Sequence, residues 1–154
     1  MTTVNTKEHI IEYFKSGTKN SSNFKIGIEH EKFLFDLKNN KRVDYNKIKL
    51  MFDALIEFGW KPTLETGNII GLNKYGKNIT LEPGNQIELS GDKLNNIHDA
   101  CAESYDYLFE LQQVTKKLNI KIVSAGFDPI STLKEIPNNP KKRYELMTKD
   151  MPLG

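Results

Sequence analysis

The sequence is poor in the features that build disulfide-stapled or membrane-embedded proteins. Its 154 residues include one cysteine, Cys101, so no disulfide can form within the chain. No stretch approaches the roughly 18 consecutive apolar residues that a membrane-spanning helix needs. The first eight residues contain no apolar signal region. We therefore expect a cytoplasmic protein that does not enter a membrane.

An excess of one charge sign is also lacking. Lysine and arginine number 22 against 20 aspartate and glutamate residues, and the two signs are interspersed along the chain. No basic stripe with interleaved aromatic residues is present, so nucleic acid is a poor candidate partner. The basic clusters at 38–42 and 140–143 are typical of solvated turns.

Common catalytic and metal-binding signatures are absent too. No glycine-rich loop carries the lysine of a phosphate-binding loop, and no serine has the context of a nucleophile elbow. The three histidines, His9, His30 and His98, lack the spacing of metal ligands. His30 lies between two glutamates and is expected to point to the opposite face of its strand, where it packs or forms a hydrogen bond.

What the sequence does contain is a mixture of helical and extended patterns. Helices are predicted at 5–15, 44–58 and 92–118, with a short helix or turn at 141–149. Strands are predicted at 24–35, 69–72, 79–82, 86–90 and 120–127. The strands follow one another through hairpins rather than regular βαβ units. This order favours an α+β fold with a largely antiparallel sheet.

Apolar stripes on the predicted helices indicate the core. The stripe of the second helix consists of Ile48, Met51, Leu55 and Phe58, and Trp60 follows it. The stripe of the third helix consists of Leu94, Ile97, Cys101, Tyr105, Leu108, Leu111 and Leu118. Because Cys101 falls in this stripe, it is predicted to be a small core residue rather than a nucleophile.

Glu29 and Glu31 are the first acidic pair with a site-like arrangement. They lie two positions apart on a predicted strand, so both side chains point to one face, together with Phe33 and Phe35. Two carboxylates this close repel unless they face solvent or share a cation. Hard cations such as Mg²⁺ prefer oxygen ligands. The pair is therefore either a solvent-facing acidic surface or part of a cation site.

Glu82 and Glu88 form the second pair and bracket the turn at 83–85. Because the turn interrupts the strand alternation, the sequence alone does not place both side chains on one face. Gly84 would let a ligand approach the backbone closely. This pair is either an exposed hairpin turn or another part of a cation site.

Several short motifs occur in order along the chain. They are IGIEHEKF at 26–33, ITLEPG at 79–84, QIELSG at 86–91, IH at 97–98 with CAE at 101–103, and KRYE at 142–145 with Met147. Together they resemble the plant and proteobacterial type of glutamate–cysteine ligase, from about residue 24 to residue 152. Several motifs in the right order are far more specific than any one of them.

The resemblance implies a fold and a reaction. The fold is a glutamine-synthetase-like catalytic domain, with a curved, mostly antiparallel sheet and flanking helices. The reaction joins the γ-carboxylate of L-glutamate to the amine of L-cysteine through an acyl phosphate, the first step of glutathione biosynthesis. The implied partners are glutamate, cysteine and ATP, and the implied cofactor is Mg²⁺, which neutralises phosphate charge.

The resemblance also implies site residues. Glu29, Glu31, Glu82 and Glu88 are the candidate Mg²⁺ ligands. Arg143 and Tyr144 match a family motif near the substrates and are candidate substrate-binding residues, since arginine suits a carboxylate or a phosphate. No catalytic residue is assigned.

The chain departs from the family pattern in three ways. Asn85 stands where the family usually has glycine, and Asp150 stands where an aromatic residue is usual. The family also continues well beyond residue 154. We therefore expect residues 1–154 to be the incomplete N-terminal portion of one catalytic domain, with 1–23 as a leading helix and loop. We expect this chain to be inactive or poorly folded alone.

Two other interpretations stay open at this point. One is another carboxylate–amine ligase of the same superfamily with a different amine acceptor. The other is a non-catalytic protein, either a relic domain or a small metal- or nucleotide-binding module that uses the same acidic face.

Overall fold

The computed structural model of the protein describes residues 5–151, so residue 152, the predicted end of the resemblance, lies outside it. The helices of this range are α1 (Lys7–Ser16), α2 (Tyr45–Ile56), α3 (Ile97–Lys117) and α4 (Lys142–Asp150). The strands are β1 (Glu29–Asp36), β2 (Lys61–Glu65), β3 (Asn68–Lys74), β4 (Lys77–Glu82), β5 (Gln86–Ser90) and β6 (Ile120–Val123). Short 3₁₀ turns lie at Ser21–Asn23, Pro83–Asn85 and Leu133–Glu135.

The strands form one open antiparallel sheet in the order β2-β3-β4-β5-β1-β6. Helices α2 and α3 pack on one face of this sheet and enclose the core with it. The sheet contributes fully buried side chains to that core, among them Leu34, Ile79, Leu81, Ile87 and Leu89. The predicted α+β class with a mostly antiparallel sheet is confirmed.

Helix α2 forms as its sequence predicts. The side chain of Asp44 caps its N-terminus by accepting a hydrogen bond from the Lys47 backbone N–H at 2.9 Å. Gly59 follows the helix with a φ of +89°, a left-handed conformation that glycine adopts readily. The predicted stripe is buried at Ile48, Met51 and Leu55, and Trp60 is also in the core.

Helix α3 differs from its prediction in its start and in the face that it buries. It begins at Ile97, where the Asn96 side chain caps it, rather than at 92. Its buried residues are Ala100, Glu103, Tyr107, Leu111, Val114 and Thr115. Cys101 is exposed, so its prediction as a core residue was wrong. Both faces of the helix carry apolar residues at helical spacing. The predicted stripe took Ile97, Cys101 and Tyr105 from the exposed face and Leu111 from the buried one.

Strand boundaries also differ from the predicted ones. Strand β1 begins at Glu29 rather than at 24, because Ile26 forms only an isolated bridge to Leu94. Strand β6 ends at Val123 rather than at 127. Strand β2 has no counterpart among the predictions, since residues 61–64 are exposed and show no apolar alternation.

The N-terminal helix was predicted correctly, but it buries none of its residues. Thr6 caps α1 by accepting a hydrogen bond from the His9 backbone N–H at 3.2 Å. The apolar residues of this helix, Ile10, Ile11, Tyr13 and Phe14, are all exposed. No helix within residues 5–151 is both long and apolar enough to span a bilayer.

The segment that follows β6 crosses to the face of the sheet that α2 and α3 leave uncovered. Asp128 in this segment contacts Arg42, which stacks on Phe33 of β1. Farther along, Arg143 of α4 contacts Glu82 at the end of β4. The segment therefore covers one end of this face and leaves the rest open.

Candidate functional site

The uncovered face of the sheet carries polar residues on three neighbouring strands, β4, β5 and β1. The strand register places Thr80, Glu88 and Glu31 side by side in one row. On one side of this row lie Asn78, Ser90 and Glu29, and on the other lie Glu82, Gln86 and Phe33. Directly opposite residues of antiparallel strands share a face. We call Glu29, Glu31, Glu82 and Glu88 the acidic face.

The strand register shows whether Glu82 and Glu88 lie on the same face of the sheet, which the sequence alone did not establish. Glu82 pairs with Gln86 across the hairpin, and Gln86 is two positions from Glu88. Because strand side chains alternate, Glu82 and Glu88 lie on the same face. The four glutamates predicted as metal ligands therefore lie on one side of the sheet, with Glu82 at one end of the group and Glu29 at the other.

Glu31 and Glu88 are a pair of like charges directly opposite each other. Gln86 donates a hydrogen bond to Glu31, and Ser90 donates one to Glu88 at 2.9 Å. Within residues 5–151, no lysine or arginine forms an ion pair with Glu29, Glu31 or Glu88. Like charges opposite each other destabilise a sheet. A shared cation would relieve that repulsion.

The donor set fits a hard cation in its chemistry. All of the acidic-face side chains offer carboxylate oxygens, which are the ligands that Mg²⁺ and Mn²⁺ prefer. In the described part of the chain, however, no three acidic, histidine or cysteine side chains converge closely enough to hold a metal ion. The carboxylates therefore share a face without forming a closed cage.

Glu82 differs from the other three glutamates because basic and hydroxyl groups surround it. Its carboxylate accepts hydrogen bonds from Arg143 Nη2 at 3.1 and 3.2 Å and from the Tyr144 hydroxyl at 2.9 Å. The Lys141 ammonium lies 3.9 Å from Glu82 Oε1. Burial raises the pKa of the Tyr144 hydroxyl, which keeps it protonated and able to donate. The two predicted substrate-binding residues thus meet a predicted metal ligand.

Lys141 is a site residue that the sequence did not reveal. It falls in the basic cluster at 140–143, which predicted a solvated turn, yet it is only 8% exposed. Burial lowers the pKa of its ammonium, and the neighbouring Arg143 lowers it further, whereas the carboxylates of Glu82, Glu88 and Glu65 oppose both. A buried cation beside the acidic face adds an anion-attracting group to the site.

Two hydrogen bonds between side chains and the backbone fix the position of the segment that carries these basic residues. Asn139 Nδ2 donates to the Glu82 carbonyl at 3.0 Å. The Lys142 backbone N–H donates to Glu65 Oε2 at 2.7 Å, at the first turn of α4. The segment is therefore held to the ends of both β4 and β2.

An open groove of about 910 Å³ lies beside Glu82, between the turn after β4 and helix α4. Pro83 and Gly84 form one wall, and Ile136, Tyr144 and Met147 are among the residues that line the rest. A smaller depression of about 250 Å³ lies next to Glu29 and is lined by Gly27, Ile28, Ser90 and Gly91. Both ends of the acidic face thus adjoin a concave surface.

Arg42 holds the turn at Pro83–Asn85 in place. Arg42 belongs to the basic cluster at 38–42, which was predicted to be a solvated turn. Its side chain is 2% exposed and forms an ion pair with Asp128 at 2.8 Å. It also donates to the Gly84 carbonyl and stacks on the ring of Phe33, 4.8 Å from its centroid. Its burial could not be read from a local pattern of charged residues.

The turn itself depends on two left-handed residues. Gly84 has a φ of +69° and Asn85 a φ of +57°. Asn85 is buried, and its Nδ2 donates to the Val43 carbonyl at 3.0 Å. Glycine and asparagine are the residues that tolerate this conformation best. Asn85 therefore fits the turn, and its side chain points into the protein toward the Val43 carbonyl.

His30 lies on the helix side of β1, opposite to its glutamate neighbours. Its Nε2 lies 3.1 Å from the Ser104 hydroxyl of α3. Burial lowers the pKa of the imidazole, the charge of Lys32 lowers it further, and Glu103 opposes both. The prediction that His30 packs or forms a hydrogen bond away from the glutamates is confirmed.

The fold and the site define a class of protein before any relative is considered. It is an α+β protein whose open antiparallel sheet presents carboxylates beside buried and exposed cations. The profile of glutamate-cysteine ligase family 2 matches residues 25–153. The chain therefore belongs to that family, as its motifs predicted.

Curated relatives match nearly all of the chain. A chloroplastic glutamate–cysteine ligase of Medicago truncatula is 40% identical over 148 residues, which are 96% of this chain and 29% of the relative. Glutamate–cysteine ligase A of Oryza sativa subsp. japonica is 40% identical over 153 residues, 99% of this chain and 31% of the relative. The Arabidopsis thaliana ligase is 37% identical over 148 residues. The chain thus spans less than a third of the length of these relatives.

Proposed function

We propose that this chain is the N-terminal portion of a glutamate–cysteine ligase catalytic domain. The complete protein joins the γ-carboxylate of L-glutamate to the amine of L-cysteine with ATP, through an acyl phosphate, in the first step of glutathione biosynthesis. The observation that carries the proposal is the acidic face beside Lys141, Arg143 and Tyr144 in a chain of this family. The compartment in which it acts stays a prediction, the cytoplasm.

The carboxylates of the acidic face have a defined role in this proposal. Glu29, Glu31, Glu82 and Glu88 are the side chains that would hold Mg²⁺. When bound, the metal supplies neutralisation of phosphate charge, which phosphoryl transfer requires. The like-charge pair of Glu31 and Glu88 supports this assignment, since its repulsion favours occupation by a cation.

The basic residues have the complementary role. Arg143 presents a planar guanidinium, which binds a carboxylate or a phosphate in two-pronged fashion. Lys141 adds a largely desolvated point charge next to it. Together with the Tyr144 hydroxyl they hold and orient an anionic substrate group at the edge of the acidic face. The amine acceptor is assigned as cysteine from the names of the relatives.

A chimeric enzyme tests this function. Residues 1–151 would replace the matching third of the Medicago truncatula ligase, and γ-glutamylcysteine formation would be measured by mass spectrometry. We expect the 154-residue chain alone to form none and the chimera to form it. Glu88→Gln in the chimera should lower the rate by a factor of about 100 or more, because the site loses one of the carboxylates proposed to hold the charge-neutralising metal.

A matched control and a panel of acceptors complete the experiment. Glu57→Gln removes the same charge from an exposed position after α2 and should leave the rate unchanged. A chimera that ligates other amines faster than cysteine would indicate a different ligase of the superfamily. An inactive chimera that nevertheless folds would contradict the proposal, and dipeptide formation by the 154-residue chain alone would contradict the need for the remaining sequence.

A further inference from the structure

Glu82 already has a positive partner, unlike the other carboxylates of the acidic face. Arg143 Nη2 contacts both of its oxygens, at 3.1 and 3.2 Å. In the described range this is the only acidic-face glutamate that is paired with basic side chains. Arg143 Nη2 and the Tyr144 hydroxyl occupy acceptor positions on both oxygens, so Glu82 has fewer lone pairs free for a metal ion, and the guanidinium charge repels a cation from it.

Arg143 is placed to change partners. Its side chain is 57% exposed and projects from the first turn of α4, whereas Glu82 is 23% exposed on a strand. An exposed ion pair of this kind contributes little to stability, so breaking it costs little. Tyr144 and the buried Lys141 make their own contacts with Glu82, which do not pass through Arg143.

We propose that Arg143 is the internal counter-ion of Glu82 and that ligand binding exchanges its partner. A divalent cation takes over the Glu82 carboxylate, and the released Arg143 binds the anionic group of the substrate. The inference rests on the proposed function and deepens it, because it makes cation and substrate binding support each other. Such coupling is reciprocal: each ligand raises the affinity for the other by the same factor.

The first test measures Mn²⁺ affinity without substrate. The 154-residue chain, first verified as folded by the dispersion of its ¹H–¹⁵N spectrum, would be titrated with Mn²⁺, and the free ion would be followed by its electron paramagnetic resonance signal. Arg143→Gln removes the competitor for Glu82 and should tighten Mn²⁺ binding about two- to five-fold, the range expected for an exposed ion pair. Lys149→Gln is the matched control, because it removes one positive charge from the same helix; among residues 5–151, Lys149 forms an ion pair with Glu145 alone.

The second test measures coupling. L-glutamate serves as the anionic probe, with Mn²⁺ and L-glutamate in buffer as the blank. In the wild-type chain, L-glutamate should raise the Mn²⁺ affinity, because it occupies Arg143 and frees Glu82. In Arg143→Gln the Mn²⁺ affinity should be insensitive to L-glutamate. In Lys149→Gln the coupling should persist.

The outcomes separate this inference from the proposed function. Equal effects of Arg143→Gln and Lys149→Gln would overturn the exchange and leave the metal site standing. Coupling that survives Arg143→Gln, or that is absent from the wild type, would also overturn it. Mn²⁺ binding by Arg143→Gln but not by the wild type would support it strongly. Absence of binding in both would overturn the exchange together with the metal site, whereas the chimera assay judges ligase activity independently.

Discussion

Arg42 and Asp128 form the most enclosed ion pair among residues 5–151, with side chains 2% and 9% exposed. Burial by itself would raise the pKa of the Asp128 carboxyl. Hydrogen bonds from the Ile130 and Ser131 backbone N–H groups, with one from Arg42, instead hold that pKa well below its ordinary value of 3.8. The charged carboxylate therefore stabilises the folded state, and with it the turn that Arg42 supports.

Asp128→Asn should destabilise the protein and change its response to acid. Removal of the charge leaves the Arg42 guanidinium buried without a counter-ion, so the free energy of unfolding at pH 7 should fall by about 3 kcal/mol. A carboxyl whose folded pKa is lowered stabilises above its unfolded pKa and loses that effect as the pH falls toward the folded pKa. The difference in the free energy of unfolding between variant and wild type should therefore shrink below about pH 4. Urea unfolding between pH 3 and 7 measures it.

Asp53→Asn is the control for this measurement. Asp53 pairs with Lys49 on the exposed side of α2, and both side chains are more than 40% exposed. Its substitution should change stability little at any of these pH values. If the free energies of unfolding of Asp128→Asn and wild type differ by the same amount at pH 7 and pH 3, the proposed role of the charged carboxylate is contradicted.

Predictions for single residues were correct where strand alternation determined them and wrong where they depended on burial by residues distant in sequence. Strand parity placed Glu29 and Glu31 on one face, because side chains alternate on any regular strand. Arg42 and Lys141 were assigned to solvated turns, since basic clusters usually face water. In the folded protein Arg42 stacks on Phe33, and Lys141 lies beside Glu82 of β4; neither partner is near in sequence. No local pattern contains that information.

At the scale of elements, the turn at Pro83–Asn85 sets the geometry between Glu82 and Glu88. Its left-handed Gly84 faces Ile136, and a Cβ built on Gly84 would lie 2.6 Å from Ile136 Cγ2. Gly84→Ala should therefore lower the free energy of unfolding by about 2–4 kcal/mol, from backbone strain and from the clash. Chemical denaturation of the purified chain measures this loss.

Asn85→Gly tests the same turn without a clash. Glycine accepts the φ of +57°, and the substitution removes one hydrogen bond together with a buried Oδ1 that has no partner. Loss of the hydrogen bond destabilises the protein and loss of the unsatisfied oxygen stabilises it, so the free energy of unfolding should change by no more than about 1 kcal/mol. Equal destabilisation by Gly84→Ala and Asn85→Gly would contradict this account of the turn.

Helix α3 shows why an element can be predicted and its orientation missed. Its length and its periodicity are clear in the sequence. Its outer face carries Ile97, Tyr105 and Phe109, and its inner face carries Tyr107 and Leu111. Both sets repeat at helical spacing, so the pattern alone does not choose between them. The choice depends on which residues fit the sheet, and that made the prediction for Cys101 wrong.

At the scale of the whole molecule, the protein consists of a helix layer and a sheet, and the two faces of the sheet have different roles. Helices α2 and α3 bury one face of the sheet and supply the core, so the other face is free to carry charges. The order of the elements in the sequence was enough to predict the α+β class. The sequence did not predict that Arg143 and Tyr144 contact Glu82, because this contact depends on how the segment after β6 crosses the sheet.

Paramagnetic broadening in a ¹H–¹⁵N spectrum of the 154-residue chain tests the central claim most directly. Substoichiometric Mn²⁺ should broaden the amide signals around Glu29, Glu31, Glu82 and Glu88, on β1, β4 and β5, and excess Mg²⁺ should restore them. Signals of α2, on the other side of the sheet, should broaden less than those of β1, β4 and β5. Broadening centred on exposed acids of α2 such as Asp53 and Glu57, or spread evenly over the surface, would contradict a cation site on the acidic face.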